Sequence, residues 1–164
     1  MGQVAESSSD PAGSSPSEQY LTFRLGEEEY GVPILAVHEI KGESAITAIP
    51  NAPAYLSGVM NLRGTVVPVV DLRVKFGLPQ VEHSRFTVIV LVVVGAKIVG
   101  MVVDAVTDVR NFPATEIQAV PEIGVPPEAG LVSGLARAGE KLFVLLDVAK
   151  LLDSDAQFAP TRVT

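Results

Sequence analysis

Hydrophobic residues along the chain fall into short runs that are separated by glycine-containing turns. Residues 20–25 alternate in part between apolar and polar side chains, and Gly26 then precedes a second apolar run at 30–32. This pattern predicts a β-hairpin. The aliphatic runs 88–94 and 98–103 flank a similar turn and predict a second hairpin. Short strands joined by tight turns favour a mainly β protein.

Two aspartates mark the predicted starts of short helices. One helix begins at Asp71 and ends before Gly77, and the other begins at Asp147. An aspartate in this position accepts hydrogen bonds from free backbone N–H groups of the first turn. Asp71 and Asp147 are therefore predicted to be structural helix caps rather than a paired catalytic acid and base. The strand before Asp71 contains Pro68, which cannot donate to a ladder, so this strand is expected at a sheet edge or a bulge.

The two halves of the chain share one sequence plan. An offset of 69 residues aligns the first hairpin of each half, and an offset of 76 residues aligns the remainder. Aligned positions include Gly26 with Gly95, Val37 with Val106, Glu39 with Asp108, Gly58 with Gly134, and Asp71 with Asp147. The difference between the two offsets falls in a loop around 121–130 that is rich in proline and glycine. Matches at constant offsets indicate an internal duplication rather than a chance likeness of valine-rich segments.

The duplicated plan predicts the fold class. Each half, about 19–80 and 86–153, has room for about five short strands, and five strands with one hydrophobic face close most easily into a small barrel. We expect a mainly β protein of two small five-stranded β-barrel subdomains, related by a pseudo-twofold repeat and carrying short helices. The sequence leaves open whether the barrels exchange strands. The Ser-rich segment 1–18 is expected to be a disordered tail, and 154–164 a second tail.

Composition restricts the classes of partner. Of the 164 residues, 48% are hydrophobic and 5% aromatic, and the formal net charge is −7. Nucleic acids and anionic membrane surfaces are bound through clustered Lys and Arg, so neither is a predicted partner. Few aromatic residues also argue against a small-barrel binder of single strands. The longest aliphatic run, 88–94, is too short to span a bilayer, and the N-terminus lacks a signal-peptide pattern, so a cytoplasmic protein without direct membrane insertion is expected.

Groups that could carry chemistry are scarce. The chain has no Cys and two His, His38 and His83, with no second metal ligand near either in the sequence. Glycine-rich phosphate loops and the G-x-S-x-G nucleophile elbow are absent. We therefore predict no metal, no cofactor and no enzymatic activity. An enzyme that uses its carboxylates is the rival hypothesis from another class.

Two aliphatic segments form a candidate groove. Residues 32–40 carry more apolar side chains than one buried strand face needs, and residues 102–106 are part of the corresponding segment in the repeat. A pseudo-twofold axis would bring them together, and a groove between the barrels suits a partner helix. Packing between the barrels explains the same pattern about equally well. The predicted groove residues are Ile34, Leu35, Val103 and Val106.

The Asn-Leu-Arg-Gly turn at 61–64 is a further candidate site. Arg63 is the one basic residue of its predicted hairpin, and the repeat places Gly139 at the corresponding position. The barrel plan therefore does not require an arginine here. We therefore expect Arg63 to pair with a carboxylate of a partner or to fix the turn, and we favour these roles over that of a solvated side chain.

Four blocks of the sequence resemble the CheW family, the coupling proteins of bacterial chemotaxis. They lie at 20–31, 37–40, 61–76 and 99–109, and the block N-L-R-G…P-V-V-D-L-R within 61–76 is the most specific of them. The resemblance runs from about residue 19 to 153, which is nearly the whole predicted folded part. It implies two five-stranded barrels, no catalysis and no cofactor.

The resemblance also implies partners and site residues. CheW-like proteins bridge the cytoplasmic tips of methyl-accepting chemoreceptors and the regulatory domain of the histidine kinase CheA. Both are therefore expected partners, and recruitment from the cytoplasm to membrane receptor arrays is expected. The family's receptor contact centres on the groove between the barrels, and the matching positions are Val37, Glu39, Gly58 and Arg63. The alternative is a CheW-like scaffold in a different chemosensory pathway, for motility or development.

Overall fold

The computed structural model describes residues 17–42, 44–79, 81–119 and 131–152. The strands are β1 Ser17–Leu25, β2 Glu28–Pro33, β3 Val37–Lys41, β4 Leu56–Leu62, β5 Thr65–Asp71, β6 Val88–Val94, β7 Lys97–Val103, β8 Ala105–Pro113, β9 Ile117–Gln118, β10 Val132–Ala138 and β11 Lys141–Leu146. The helices are α1 Leu72–Lys75 and α2 Val148–Leu152, and 3-10 turns lie at Ile34–Ala36 and Ala114–Glu116. Strand β1 begins inside the predicted tail 1–18. The rest of that tail, the tail 154–164 and the loop 121–130 lie outside the described residues.

The predicted hairpins are confirmed by the strand pairing. Strands β1 and β2 pair antiparallel, as do β6 and β7, and each pair is joined through a glycine in the left-handed region, Gly26 with φ 63° and Gly95 with φ 62°. A side chain with a Cβ is disfavoured at such a φ, so glycine suits these tight connections. Strands β4 and β5 form a third hairpin, and β10 and β11 a fourth.

Each sheet combines strands from both halves of the chain. The five-stranded sheet has the order β3-β6-β7-β5-β4, and the six-stranded sheet has the order β8-β1-β2-β11-β10-β9. The repeat relates β3 to β8, β6–β7 to β1–β2, and β4–β5 to β10–β11, so the two orders are equivalent apart from the two-residue β9. The first hairpin of each half therefore lies in the sheet of the other half. The mainly β fold class is confirmed, and the strand exchange that the sequence left open is present.

The strand carrying Pro68 is not at a sheet edge, because β5 lies between β7 and β4. The expected bulge is present close by, since the pairing of β4 with β5 shifts register between Leu56 and Gly58, opposite Val70 and Val69. Val59 pairs with Pro68, yet Val59 directs both its N–H and its C=O to Thr47 on the other side. The Val59–Pro68 pair therefore needs no N–H from the proline. On the opposite side the parallel pairing with β7 begins only at Val69. An interior proline is tolerated here because neither neighbouring strand uses its missing donor.

Both helices begin at an aspartate that bonds the first turn. Asp71 Oδ1 accepts a hydrogen bond from Arg73 N at 2.9 Å, and Asp147 Oδ1 accepts one from Lys150 N at 3.1 Å. Side-chain acceptors of this kind satisfy N–H groups that have no partner within the helix. Leu72 and Leu151 then point into the core and have almost no exposed surface.

The largest hydrophobic cluster is shared by the two sheets. It contains Phe23 and Val32 from the six-stranded sheet and Met101 and Val103 from the five-stranded sheet, together with side chains of both helices. Smaller clusters belong to one sheet each, around Val69 in the five-stranded sheet and around Phe143 in the six-stranded sheet. Burial of aliphatic surface is the main favourable term in folding, so most of this stabilisation depends on contact between the sheets.

The shared cluster predicts a large cost for truncating Phe23, which is fully buried and stacks on Tyr30 with ring centroids 5.9 Å apart. Phe23→Ala should lower the free energy of unfolding by about 3–5 kcal/mol. Leu142→Ala is the control, because Leu142 is 48% exposed, and it should cost about 1 kcal/mol or less. Urea unfolding followed by circular dichroism measures both. Equal losses in the two variants would contradict a core shared by the sheets.

Candidate protein-binding site

The turn between β4 and β5 presents Arg63 to solvent. Arg63 and Gly64 have φ values of 49° and 91°, both in the left-handed region. Two successive residues of this kind are typical of tight hairpins. Asn61 Oδ1 accepts a hydrogen bond from Gly64 N at 2.6 Å and fixes the turn. The Arg63 side chain is 64% exposed as a result.

Arg63 pairs with Glu39 on strand β3. The distance from Arg63 Nη2 to Glu39 Oε1 is 2.6 Å, and His38 Nε2 lies 3.7 Å from the same oxygen. Strands β3 and β4 are the two edges of the five-stranded sheet, so the ion pair spans the gap between them. The hydrogen bond from Arg63 and its positive charge hold the pKa of Glu39 below its usual value, and the carboxylate raises the pKa of Arg63. The pair therefore forms an exposed, fully ionised surface feature at neutral pH.

Gly58 lies near the start of β4 and is buried. Its φ is 147°, and a Cβ at this position would lie 2.1 Å from the Thr47 carbonyl oxygen. Thr47 and Val59 exchange two backbone hydrogen bonds, of 2.8 and 2.9 Å, across this close approach. Gly134 in the second half makes a similar approach, because a Cβ there would lie 2.8 Å from Ile117 Cγ2. A close approach therefore explains why glycine occupies position 58, and the same explanation holds for the repeat-related Gly134.

The predicted groove residues occupy different environments. Val37, Ile34 and Val106 are partly buried and pack against the shared core. Val103 has no exposed surface, so it contributes to packing between the sheets and not to an accessible wall. Leu35 is 94% exposed and projects from the 3-10 turn that precedes β3.

Two exposed aliphatic residues were not among the predicted site residues, although Ile40 belongs to the apolar segment 32–40. Ile40 on β3 is 43% exposed and Val109 on β8 is 46% exposed, and the repeat relates them to each other. Both pair with residues of the shared core, Val90 and Leu21 respectively. The signal was available in the sequence, because the offset that relates Glu39 to Asp108 also relates Ile40 to Val109.

A second ion pair, also missed, joins Arg73 on α1 to Asp104. The contacts are bidentate, with Nε to Oδ1 at 2.9 Å and Nη2 to Oδ2 at 2.6 Å. Gly26 N donates to Asp104 Oδ2 at 2.7 Å, and Arg73 Nη1 donates to the Pro79 carbonyl at 2.6 Å. Asp104 lies where the chain passes from β7 in one sheet to β8 in the other. The pair thus ties the β1–β2 turn, helix α1 and this crossing point together.

The pKa of Asp104 reflects two opposing effects. Burial raises it, whereas the hydrogen bonds from Arg73 and Gly26 and the charge of Arg73 lower it, and the net effect is a pKa below the usual aspartate value. The side chains of Arg73 and Asp104 are only 13% and 26% exposed. A bidentate pair with little solvent contact holds segments of the fold together and offers little surface for binding a partner.

The described part of the chain contains no group of three or more His, Cys, Asp or Glu side chains arranged to hold a metal ion. Over those same residues, no helix has the length and apolar character needed to cross a membrane.

Comparisons with known proteins agree over nearly the whole chain. A family model described as the CheW-like domain matches residues 19–156. The chemotaxis protein CheW of Klebsiella aerogenes is 42% identical over 144 residues, which cover 88% of this chain and 87% of that protein. Protein FrzA of Myxococcus xanthus is 30% identical over 149 residues, 90% of this chain and 92% of that protein. The crystal structure of the scaffolding protein TtCheW from Thermoanaerobacter tengcongensis matches with a TM-score of 0.77 at 31% identity, covering 84% of this chain and 88% of that chain.

The fold and the surface together define a class of protein, a duplicated β scaffold that acts through contacts with other proteins. Such scaffolds place their distinctive side chains on strand edges and turns, as Glu39 and Arg63 are placed here. The chain belongs to the CheW family. It is a non-catalytic chemotaxis scaffold, as the related scaffolding protein and the chemotaxis relatives indicate.

The Arg73–Asp104 pair predicts a pH-dependent contribution to stability. Because the pKa of Asp104 is lower in the folded state, its contribution is fully present above the unfolded-state value of about 4. It is lost as the pH falls through the lower folded-state value. Asp104→Asn should therefore lower the free energy of unfolding by about 1–3 kcal/mol at pH 7, and this difference should shrink below about pH 4.

Urea unfolding of wild type and variant at several pH values measures the effect. Asp108→Asn is the control, since Asp108 is exposed and makes no ion pair with any described residue. Its difference from wild type should stay small at every pH. A constant Asp104→Asn difference from pH 7 down to pH 3 would contradict the assigned role of the carboxylate.

Proposed function

We propose that this chain couples the cytoplasmic tips of chemoreceptors to the regulatory domain of the histidine kinase CheA. The observation that carries the proposal is the exposed Glu39–Arg63 pair on the edge of the five-stranded sheet. The repeat places Gly139 at the position of Arg63, so the duplicated fold is built in its other half without this arginine. Because the fold does not require this ion pair, its side chains are available for contact with a partner protein.

The surroundings of the pair suit a receptor helix. Val37 lies on β3 close to Glu39 and packs against the shared core. Ile40, next to Glu39 on the same strand, is 43% exposed. An amphipathic helix binds a groove through apolar contacts on one face and charged contacts at the rim. Glu39 and Arg63 would supply the charged rim, and Gly58 would keep the segment around Thr47 close against β4.

The kinase would use a different part of the scaffold, because an adaptor has to hold two partners at once. Each contact can be weak, since linked contacts in an array raise the overall affinity without new interfaces. With a net charge of −7, recruitment to membrane receptor arrays would depend on protein contacts and not on anionic lipid.

A scaffold role in another chemosensory pathway, for motility or development, is the second candidate function. A relative with a different name, Protein FrzA, is as fully covered by the chain as the relatives named CheW, so likeness over the whole chain does not separate the two functions. Affinity purification of the tagged full chain from its own cell separates the two. Recovery of a CheA-type kinase together with chemoreceptors supports the first function, and recovery of a different kinase and receptor set supports the second.

The receptor surface is tested by reversing the charge of Arg63. Arg63→Glu places two carboxylates together and removes the guanidinium, so the affinity for a receptor cytoplasmic fragment should fall by about tenfold or more. Arg85→Glu is the matched control, because Arg85 is exposed in the connection between the halves, and it should bind normally. Isothermal titration calorimetry measures the affinity, and circular dichroism checks that each variant is folded.

The double variant Glu39→Arg with Arg63→Glu separates two ways in which the pair could act. Restored affinity would mean that the pair holds the strand edges in place, and continued loss would mean that the receptor contacts these charges directly. Normal binding by folded Arg63→Glu would reject the receptor surface at this turn.

A further inference from the structure

The chain crosses between the two sheets at two repeat-related places, and the two crossings are built differently. One crossing leads from β2 to β3 and the other from β7 to β8. Asp104 is the single residue between β7 and β8, whereas the 3-10 turn Ile34–Ala36 separates β2 from β3. Each additional residue adds two rotatable backbone dihedrals. The crossing into β3 therefore has more conformational freedom than the crossing into β8.

The crossing into β8 is tied by an ion pair whose repeat-related positions hold apolar residues. Asp104 accepts two hydrogen bonds from the Arg73 guanidinium, at 2.9 and 2.6 Å, and one from Gly26 N at 2.7 Å. The repeat places Leu35 at the position of Asp104 and Ala149 at the position of Arg73. Neither of these side chains can form an ion pair. The crossing into β3 therefore lacks the side chains that tie the crossing into β8.

The two strands that follow the crossings also differ in how firmly their own side chains are packed. Strand β8 is nine residues long, and Ala105 and Phe112, near its two ends, are buried. The Phe112 ring centroid lies 5.7 Å from that of Tyr20 and 5.2 Å from that of Phe143. Strand β3 is five residues long, and each of them is exposed or partly exposed. Because buried apolar contacts oppose local opening, β3 is the less firmly held edge.

Opening of β3 would break few strong contacts. The strand pairs with β6 on one side, and on the other side Glu39 reaches Arg63 across the edges of the sheet. Exposed ion pairs of this kind contribute little to stability. The fully buried members of the shared core lie on other elements, so most of that core stays packed when β3 opens.

We propose that β3 is a hinged edge strand, which opens locally about the turn Ile34–Ala36 while the rest of both sheets stays folded. The β8 edge stays closed, because the Arg73–Asp104 pair and Phe112 hold it near its two ends. The duplicated scaffold thus has one edge that can move and one that is fixed. A receptor that contacts Glu39 on the closed strand would stabilise that state by mass action, and this last step alone rests on the proposed function.

Hydrogen exchange of the native full chain, followed by NMR at low urea concentrations, tests the proposal without any partner. Amides that exchange through global unfolding respond steeply to urea, because that opening exposes much surface, whereas amides that exchange through local opening respond little. The amides of β3 that bond β6 should exchange at least tenfold faster than the amides of β8 that bond β1, and with a smaller urea dependence. Equal rates and equal urea dependence in the two strands would overturn the proposal.

Leu35→Gly tests the position of the hinge. Glycine in this turn loosens the backbone, and the replaced side chain is 94% exposed, so exchange in β3 should rise by about threefold while β8 is unchanged. Ala114→Gly is the matched control, because Ala114 is exposed and lies in the 3-10 turn Ala114–Glu116 after β8, and it should leave β3 unchanged. An unaltered β3 in folded Leu35→Gly would place the hinge elsewhere and contradict the proposal.

Asp104→Asn tests why the other edge stays closed. Without the tie, the amides at the start of β8 should exchange through local opening, so their urea dependence should fall towards that of β3. Asp108→Asn, on the same strand and exposed, is the control and should keep the wild-type urea dependence. A uniform rise in exchange over all strands, with unchanged urea dependence in β8, would show that the pair adds only global stability and would reject its role at the crossing.

A receptor cytoplasmic fragment, added at saturating concentration, tests the final step. Exchange in β3 should slow by more than exchange in β8, and equal slowing of the two strands would contradict the coupling between binding and closure. No receptor or kinase enters the measurements on the free chain and its variants. A failure of the proposed function and a failure of the hinge are therefore distinguished.

Discussion

The hydrophobic core shared by the two sheets is the constraint on which the rest of the structure depends. Each half of the chain sends its first hairpin into the other half's sheet, so neither half can complete a sheet alone. The side chains that face the other sheet, such as Phe23 and Met101, lose nearly all contact with solvent. Since burial of apolar surface is the main favourable term in folding, the two halves are stable as one unit.

The two arginine–carboxylate ion pairs have different roles because they differ in solvent exposure. Arg73 and Asp104 lie at the point where the chain crosses between the sheets, and additional hydrogen bonds from Gly26 and to Pro79 leave them little freedom. Glu39 and Arg63 are held by each other at an exposed sheet edge. Exposed pairs contribute little to stability because water screens them. A charge pair that costs little to rearrange is better suited to meet a partner than to hold a fold.

A scaffold protein needs several surfaces more than it needs a cavity. Duplication followed by exchange of hairpins provides two equivalent edges from one plan, and sequence differences at those edges can then make them unequal. Arg63 and Gly139 occupy equivalent turns, and Asp104 in its partly buried pair is the counterpart of the exposed Leu35. Unequal edges on one rigid unit allow different partners to be held at fixed relative positions.

The amino-acid sequence by itself determined the hairpins, the duplication, the aspartate caps and the membership of the CheW family. These properties rest on residues close together in the chain or on motifs that recur at constant offsets. The sequence also singled out Glu39 and Arg63, but from a resemblance and a turn, and not from any sign that they touch. Only the tertiary structure decided that they bond across the two edges of one sheet, that Val103 is buried while Leu35 is exposed, and that Pro68 lies in an interior strand. Each of these depends on which strands become neighbours, and the burial of residues distant in sequence sets that choice.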